Sequence, residues 1–295
     1  MDCIKRTHVY KQNAQYSLAL DVYMSESAGN NLPAVMYMHG GALIFGGREM
    51  INENEMKAIV SEGTAYVSID YRLAPETKLM DIKEDVEDAL RWMREDGVRL
   101  YGFDPDRITV LGKSAGGYLA LLCGTFQNKP NAIISFYGYG DILGDWYSLP
   151  SPYYLKHPLV DQNDANKCVR SVVPTHTGIE ERWPLYLFTR QTGSWAILVS
   201  GHDPLEEKDV LAPYCPILNV DAHFPPTLLL HGSEDTDVPV EQSKEMYATL
   251  TGAGIEANLL IFPGADHGFD SIWRNIPEEL GIVTHFLKET QGAKK

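Results

Sequence analysis

Short apolar runs alternate along the chain with segments in which apolar side chains recur at helical spacing. Apolar runs bounded by turn residues are typical of buried strands, and recurrence at i, i+3 and i+4 is typical of helices that cover a sheet. The pattern predicts two strands between 8 and 24, then strands at 33–38, 65–69, 107–111, 132–137, 227–230 and 257–262. It predicts helices at 53–61, 82–93, 116–125, about 240–251 and about 277–289, with Gly97 ending the second of them. This alternation indicates an α/β fold with a mostly parallel central sheet flanked by helices.

Residues 138–224 break this alternation. The segment is rich in Trp, Tyr, Phe and Pro, and its apolar positions show only weak periodicity. A connection of this length is uncommon in a compact domain unless it has a function. We therefore predict an inserted, aromatic-rich cap at 138–224 that packs over one end of the sheet, with 1–137 and 225–295 forming one core.

The composition excludes several classes of protein. Hydrophobic residues make up 44% of the chain, which is enough for a sizeable core and excludes intrinsic disorder. Lys and Arg number 25 against 40 Asp and Glu, and the resulting net charge of −15 argues against nucleic acid as a partner. No apolar run is long enough to predict a membrane span, and the N-terminus lacks the apolar segment of a signal peptide.

The four cysteines are scattered and show no metal-binding spacing. They are expected to be free thiols in a reducing compartment, which points to a cytoplasmic protein. Cys168 with Cys215 is the one disulfide pairing worth testing. No metal or organic cofactor is expected, and the sequence leaves a homodimer open.

The segment Gly112-Lys113-Ser114-Ala115-Gly116 lies between a predicted strand and a predicted helix. A sharp strand-to-helix turn would strain the backbone at Ser114 and expose its hydroxyl, and side chains at the flanking glycine positions would collide with the turn. The helix N-terminus that follows favours an oxyanion. This context favours Ser114 as a nucleophile over a purely structural turn.

Two nucleotide-binding motifs are incomplete in this region. Gly112-Lys113-Ser114 ends like a phosphate-binding loop, but that loop requires glycine at the position of Arg107. Gly138 and Gly140 follow a predicted strand, but Leu143 stands where the dinucleotide fingerprint requires its next glycine. Nucleotide binding is therefore disfavoured.

A serine nucleophile requires a base, and the base requires an acid that orients it. His267 and Asp235 lie in loops that follow the last two predicted strands, at the edge where open α/β sheets place their sites. We predict that Ser114 is the nucleophile, His267 the base and Asp235 the acid. Glu234 and Asp237 are the alternative acids on the same loop.

Two glycines directly follow the predicted strand at 33–38, in His39-Gly40-Gly41-Ala42. Because no side chain stands in the way, the N–H groups of Gly40 and Gly41 can form an oxyanion hole with that of Ala115. His39 is expected to be a structural hydrogen-bonding group. In the predicted cap, aromatic residues suggest an apolar pocket, and we expect no more than half of the following candidates to contact substrate: Trp146, Tyr147, Tyr153, Trp183 and Trp195.

Together these motifs resemble the α/β-hydrolase superfamily, and within it the hormone-sensitive-lipase-like and related small esterases. The matching segments run in family order from about 33 to 290 and are His39-Gly40-Gly41, Asp70-Tyr71-Arg72-Leu73-Ala74-Pro75-Glu76, Gly112-Lys113-Ser114-Ala115-Gly116-Gly117, His231-Gly232-x-x-Asp235-x-x-Val238-Pro239 and Asp266-His267-Gly268-Phe269. The resemblance implies an α/β-hydrolase fold and a carboxylesterase. Such an enzyme would hydrolyse small to medium acyl or aryl esters through a Ser-His-Asp triad and an acyl-enzyme, without a cofactor.

The sequence departs from the family pattern in three respects. Lys113 replaces the acidic residue that is common before the serine, and Ala42 stands where many relatives have a third glycine. The predicted cap lies within the chain, whereas the family often places it at the N-terminus. The same triad also serves amide, formamide or lactone hydrolysis and lyase chemistry, so the substrate stays open. A ligand-binding protein on this fold is the alternative from another class, although such proteins tend to lose a triad residue.

Overall fold

An eight-stranded sheet forms the centre of the protein. The computed structural model describes residues 3–272 and 277–292, so residues 1–2, 273–276 and 293–295 of the predicted core lie outside the described residues. The strand order is β1-β2-β4-β3-β5-β6-β7-β8. The strands are β1 (Cys3–Gln12), β2 (Ser17–Ser25), β3 (Leu32–Met38), β4 (Ala65–Ile69), β5 (Phe103–Lys113), β6 (Ala132–Phe136), β7 (Thr227–Gly232) and β8 (Ala257–Phe262). β2 pairs antiparallel with β1 and β4, and all other neighbours pair parallel, which confirms the predicted mostly parallel sheet.

Helices connect the strands and cover both faces of the sheet. The α-helices of the described residues are α1 (Glu53–Ser61), α2 (Leu79–Trp92), α3 (Val98–Tyr101), α4 (Ala115–Cys123), α5 (Asp145–Ser148), α6 (Gln162–Lys167), α7 (Ile179–Thr192), α8 (Trp195–Ser200), α9 (Lys208–Leu211), α10 (Glu241–Gly252), α11 (Phe269–Ile272) and α12 (Pro277–Gln291). A π-helical turn lies at Met93–Gly97, and 3₁₀ turns lie at Tyr154–Lys156, Ala212–Tyr214 and Pro216–Leu218.

Alternate residues of the central strands point into two different cores. On β3, Val35 and Tyr37 pack in one core with α1 and α12, whereas Ala34 and Met36 pack in the other with α2 and α4. Successive side chains of a strand point to opposite faces, so a sheet covered on both sides needs apolar residues at nearly every strand position. β4 and β6 are accordingly buried along their whole length.

The helix that begins with α2 continues past Gly97, so the prediction that this glycine ends it is wrong. Gly97 has a helical φ of −61° and lies against Phe103, whose ring would be 2.5 Å from an added Cβ. The helical segment ends at Gly102, where φ is +66°, a left-handed conformation that glycine adopts at little cost. Close packing against Phe103 explains the glycine at position 97.

Residues 138–224 lie between β6 and β7 and contain α5 to α9. Buried side chains occur on several faces of α7, which explains why weak periodicity concealed this helix. The segment contacts loops beyond the carboxyl ends of the strands: Trp195 Nε1 donates to Ala42 O at 2.9 Å, and Arg190 Nη2 donates to Asp237 O at 2.9 Å. The division of the chain into a core and a cap stays a prediction.

Two other sequence expectations concern the cysteines and the membrane. All four cysteines are free thiols, so Cys168 and Cys215 are not bridged. None of the helices in the described ranges has the length and the apolar character that crossing a membrane requires.

Candidate active site

The backbone turn at Ser114 has the strained geometry expected of an exposed nucleophile. β5 ends at Lys113, α4 begins at Ala115, and Ser114 between them has φ 55° and ψ −119°. An added Cβ would lie 1.9 Å from Gly116 O if placed on Gly112, and 2.1 Å from a backbone carbonyl oxygen of β3 if placed on Gly116. Both glycines are therefore required for the turn to pack against β3 and α4.

Ser114, His267 and Asp235 come together at the carboxyl ends of β5, β8 and β7. The Ser114 hydroxyl lies 3.0 Å from His267 Nε2, and His267 Nδ1 donates to Asp235 Oδ2 at 2.8 Å. The two hydrogen bonds use opposite nitrogens of the imidazole ring. The arrangement allows His267 to take a proton from the serine while Asp235 fixes the tautomer and orientation of the ring.

Asp235 is held in place as a carboxylate. Its Oδ1 accepts from the N–H of Asp237 at 2.9 Å and of Val238 at 2.8 Å, and its side chain is fully buried. Burial alone would raise the pKa of Asp235, but hydrogen bonds from His231 and His267 outweigh burial and hold that pKa well below its usual range. Asp235 is therefore ionised at neutral pH.

The alternative acids occupy different positions. Glu234 is exposed, and its backbone N–H donates to a neighbouring loop. Asp237 Oδ2 lies 3.6 Å from His267 Nε2, on the serine side of the ring, and Asp237 Oδ1 accepts from the Tyr186 hydroxyl. Arg190 Nε lies 3.6 Å from Asp237 Oδ1. Asp235, and neither of the alternatives, contacts the nitrogen that an orienting acid must bind.

The electrostatic surroundings of His267 favour its protonated form. Burial alone would lower the pKa of the imidazole, but its hydrogen bond to Asp235 and the charges of Asp237 and Asp266 raise the pKa above its usual value. The ring also packs against Tyr137, with the ring centroids 4.6 Å apart. A base with a raised pKa accepts the serine proton more readily but is protonated over a wider acidic range.

Two of the predicted oxyanion donors, Gly40 and Ala115, lie next to Ser114. Gly40 approaches so closely that an added Cβ would be 3.3 Å from Ser114 Cβ. Gly41 has φ 105°, and the next residue, Ala42, has φ 55°, so the chain turns sharply here. Ala115 is the first residue of α4, so its N–H has no partner within the helix.

His39 has a structural environment. Its ring stacks on Tyr71 with the centroids 4.2 Å apart, and its Nδ1 lies 2.7 Å from Gly40 O. Burial lowers the pKa of His39 to about 4, so the ring is neutral at pH 7. These contacts place His39 against the glycine turn, and none of the contacts described for its ring involves the Ser114 hydroxyl.

A cavity of about 710 Å³ opens at Ser114 and His267. Gly40, Gly41 and Asp237 also contribute to its wall, and the rest is largely aromatic and apolar. These further lining residues include Phe45, Met50, Ile51, Tyr154, Ile179 and Tyr186. A cavity of this kind suits a ligand with an apolar body and one polar group at the serine.

The five aromatic candidates divide between the cavity and the packed interior. Tyr153 and Trp183 line the cavity. Trp146, Tyr147 and Trp195 instead form a stack, with successive ring centroids 4.0 Å apart. Trp195 is fully buried in that stack, and its indole N–H donates to the backbone carbonyl of Ala42.

Several residues at the site carried no sequence signal of their own. Tyr137 packs on His267, Tyr186 binds Asp237, and Phe45 joins the cavity wall. Their roles depend on contacts between distant segments, which spacing along the chain does not reveal. Within the described ranges, no group of three or more His, Cys, Asp and Glu side chains is arranged to hold a metal ion.

Known structures with this architecture define the class of the protein. An α/β-hydrolase superfamily protein from Enterococcus faecalis superposes with a TM-score of 0.76 over 97% of this chain and 99% of its own, at 21% sequence identity. A thermophilic esterase from Thermogutta terrifontis, Est2, superposes with a TM-score of 0.68 over 98% of this chain and 94% of its own, at 23% identity. The chain therefore has the α/β-hydrolase fold.

Within that class, residues 20–250 match the BD-FAE family, and the chain belongs to it. Curated relatives include the non-reducing polyketide synthase prhL of Penicillium brasilianum, which is 26% identical over 320 aligned residues. The alignment covers 91% of this chain but 13% of the synthase. The chain thus spans a small part of the length of the curated relatives it matches.

Proposed function

We propose that the chain is a serine esterase that hydrolyses carboxylic esters of small to medium acyl or aryl groups through an acyl-enzyme. The observation that carries the proposal is the continuous hydrogen-bonded path from Ser114 through His267 to Asp235 at the wall of an aromatic cavity. The similarity in fold to an esterase supports the same reaction class. No step requires a metal or an organic cofactor.

In the acylation step, Ser114 Oγ bonds to the ester carbonyl carbon while its proton passes to His267 Nε2. The carbonyl π electrons move to oxygen, and the N–H groups of Gly40, Gly41 and Ala115 stabilise the resulting oxyanion. When the intermediate collapses, the bond to the alcohol oxygen breaks. His267 then donates its proton to the departing alcohol.

Deacylation repeats these steps with water. His267 removes a proton from the water, whose oxygen bonds to the acyl carbon, and the bond to Ser114 Oγ breaks as the serine regains a proton. Asp235 stays ionised throughout and stabilises the imidazolium that forms twice in each cycle. Each removed oxyanion donor is expected to cost about 3–4 kcal/mol in the transition state.

The proposed cap provides the apolar part of the substrate site. Tyr153 and Trp183 of residues 138–224 face the cavity from one side, and Phe45 faces it from the glycine turn. Flat aromatic walls accept an aryl group or an acyl chain and exclude water from the serine. A small-molecule ester is therefore the proposed substrate.

The experiment is hydrolysis of p-nitrophenyl esters of graded acyl length, together with labelling by a fluorophosphonate. We expect turnover and labelling in the wild type, loss of both in S114A, and retention of both in S61A, which changes an exposed serine on α1. An S114A variant with the wild-type rate would remove Ser114 as nucleophile. If the wild type showed neither turnover nor labelling, the result would favour a ligand-binding protein.

The same panel tests the other reactions that this triad supports. Amides, formamides, lactones and lyase substrates are compared with the esters by kcat/KM, and a higher value for one of them would replace the ester in the proposal. The free thiols and the acidic composition are the basis for a proposed cytoplasmic location, which cell fractionation tests. A proposed homodimer is tested by sedimentation.

A further inference from the structure

A buried charge cluster that the proposed mechanism does not use lies beside Ser114. Its members are Lys113, Glu55 and Asp270, whose side chains are 8%, 2% and 3% exposed. Lys113 Nζ lies 3.0 Å from Glu55 Oε2 and forms a second, short ion pair with Asp270 Oδ2. Burial of three charges is costly unless they are paired with good geometry, so this arrangement calls for a specific role.

The ion pair between Lys113 and Asp270 links the segment that carries Ser114 to the segment that carries His267. Lys113 directly precedes Ser114. Asp270 is the second residue of α11 and lies three positions after His267. The Lys113–Asp270 pair and the bond between Ser114 and His267 both link these two segments directly. Asp270 Oδ1 also accepts from the Tyr137 hydroxyl at 2.5 Å, and the Tyr137 ring packs on the His267 imidazole.

Glu55 has the same cation as a partner but a different location. It lies on α1, and its other hydrogen bond comes from the Tyr66 hydroxyl at 3.3 Å. None of the hydrogen bonds described for the Glu55 side chain reaches the loop that carries His267. Glu55 and Asp270 are thus two equally buried carboxylates on one lysine, of which only Asp270 is tied to the base.

We propose that Lys113 and Asp270 are positioning residues that hold the Ser114 hydroxyl within hydrogen-bond reach of His267 Nε2. The inference rests on the proposed function, because it presumes that this serine and histidine perform the chemistry. The strained backbone at Ser114 would relax unless neighbouring contacts held it. A displacement of about 1 Å between reacting groups can lower a rate by about 100-fold.

The matched variants D270N and E55Q separate positioning from stability. Each replaces one buried carboxylate of the cluster by a neutral group of the same shape. We expect D270N to lower kcat by about 10- to 100-fold with little change in KM, and E55Q to keep nearly the wild-type kcat. Both variants should lose stability, which urea unfolding measures. Equal kcat values in D270N and E55Q would overturn the proposal.

Substitution of the lysine alone would leave two buried carboxylates without a counterion and endanger folding. The triple variant E55Q/K113M/D270N instead makes the whole cluster neutral, and K113R keeps the charge. We expect the triple variant to fold and to share the kcat loss of D270N, whereas K113R should retain most of the wild-type kcat. A triple variant with the wild-type kcat would contradict a positioning role.

Histidine NMR provides a readout that needs no substrate. The proton on His267 Nδ1, which bonds to Asp235, should give a low-field signal in the wild type and in E55Q, and this signal should be broadened or shifted in D270N. Unchanged spectra in D270N would overturn the proposal. If the wild type hydrolyses no ester, the proposed function fails, and the NMR comparison still decides whether Asp270 positions the histidine.

Discussion

Replacement of Asp235 by asparagine is expected to lower kcat by about 10⁴-fold while the fold is retained. Asp235 Oδ2 lies 2.8 Å from His267 Nδ1, and the aspartate side chain is fully buried. At an effective dielectric constant of about 20, two unit charges at this separation attract each other by about 6 kcal/mol. Asparagine keeps the shape but loses this stabilisation of the imidazolium, and each 1.36 kcal/mol is a tenfold change in rate. The same substitution in a serine protease has an effect of about 10⁴.

The matched control is D237N on the same loop. Asp237 Oδ2 is 3.6 Å from His267 Nε2, farther than Asp235 is from Nδ1, and it faces the nitrogen that exchanges the proton with the serine. Arg190 and Tyr186 already bind this carboxylate, so its charge is partly offset. We expect D237N to lower kcat by less than about tenfold.

The assay is steady-state hydrolysis of a p-nitrophenyl ester at a pH where the wild-type rate has levelled off, so that titration of the base does not enter. Urea unfolding of both variants checks that the proteins compared are folded. A larger loss in D237N than in D235N would reassign the acid. A small and similar loss in both would refute the argument that a buried charge on the imidazole is needed in the transition state.

Three further predictions follow from the pKa of the base, the nucleophile turn and the cavity wall. Burial lowers the pKa of His267, but neighbouring carboxylates outweigh burial and raise the pKa above 6.5. Because a protonated base cannot accept the serine proton, kcat/KM should fall as the pH drops through a value above 6.5. A pH–rate profile that is flat down to pH 5 would contradict this prediction. G116A would place a Cβ 2.1 Å from a backbone carbonyl oxygen and should lower the free energy of unfolding, measured in urea, by about 1–3 kcal/mol or more. In the control G29A, no atom lies within 4 Å of the added Cβ, so the free energy of unfolding should change by less than about 0.5 kcal/mol. W183A should raise KM for aryl esters at nearly unchanged stability, because Trp183 lines the cavity. W195A removes a fully buried side chain and should lower the free energy of unfolding by about 3–5 kcal/mol. A larger effect on KM in W195A than in W183A would count against the assignment of the cavity wall.

Periodicity predicted the central strands well because the apolar run that marks a buried strand lies within the strand's own residues. The strand predicted at 257–262 matches β8, and the one at 65–69 matches β4. Helical spacing failed where a helix is buried on several sides, as in α7, whose residues show no single apolar stripe. Gly97 was also misjudged, because the choice between ending a helix and allowing close packing depends on a neighbour, Phe103.

The order of residues along the chain was enough to predict the type of turn at Ser114 and the candidates for base and acid. A strand, a glycine-flanked serine and a helix are adjacent along the chain, so their local geometry follows from neighbouring residues. The loops of Asp235 and His267 could be assigned to the same sheet edge because parallel strands end there together.

The side chains that surround these candidates were revealed by the folded arrangement of the chain. It distinguished Asp235 from Asp237 by the imidazole nitrogen that each one faces, and it separated Trp183 at the cavity from Trp195 in the interior. It also paired Lys113 with Asp270, residues 157 positions apart. Such contacts depend on how distant segments pack, and the composition and spacing of either segment alone carry no information about the other.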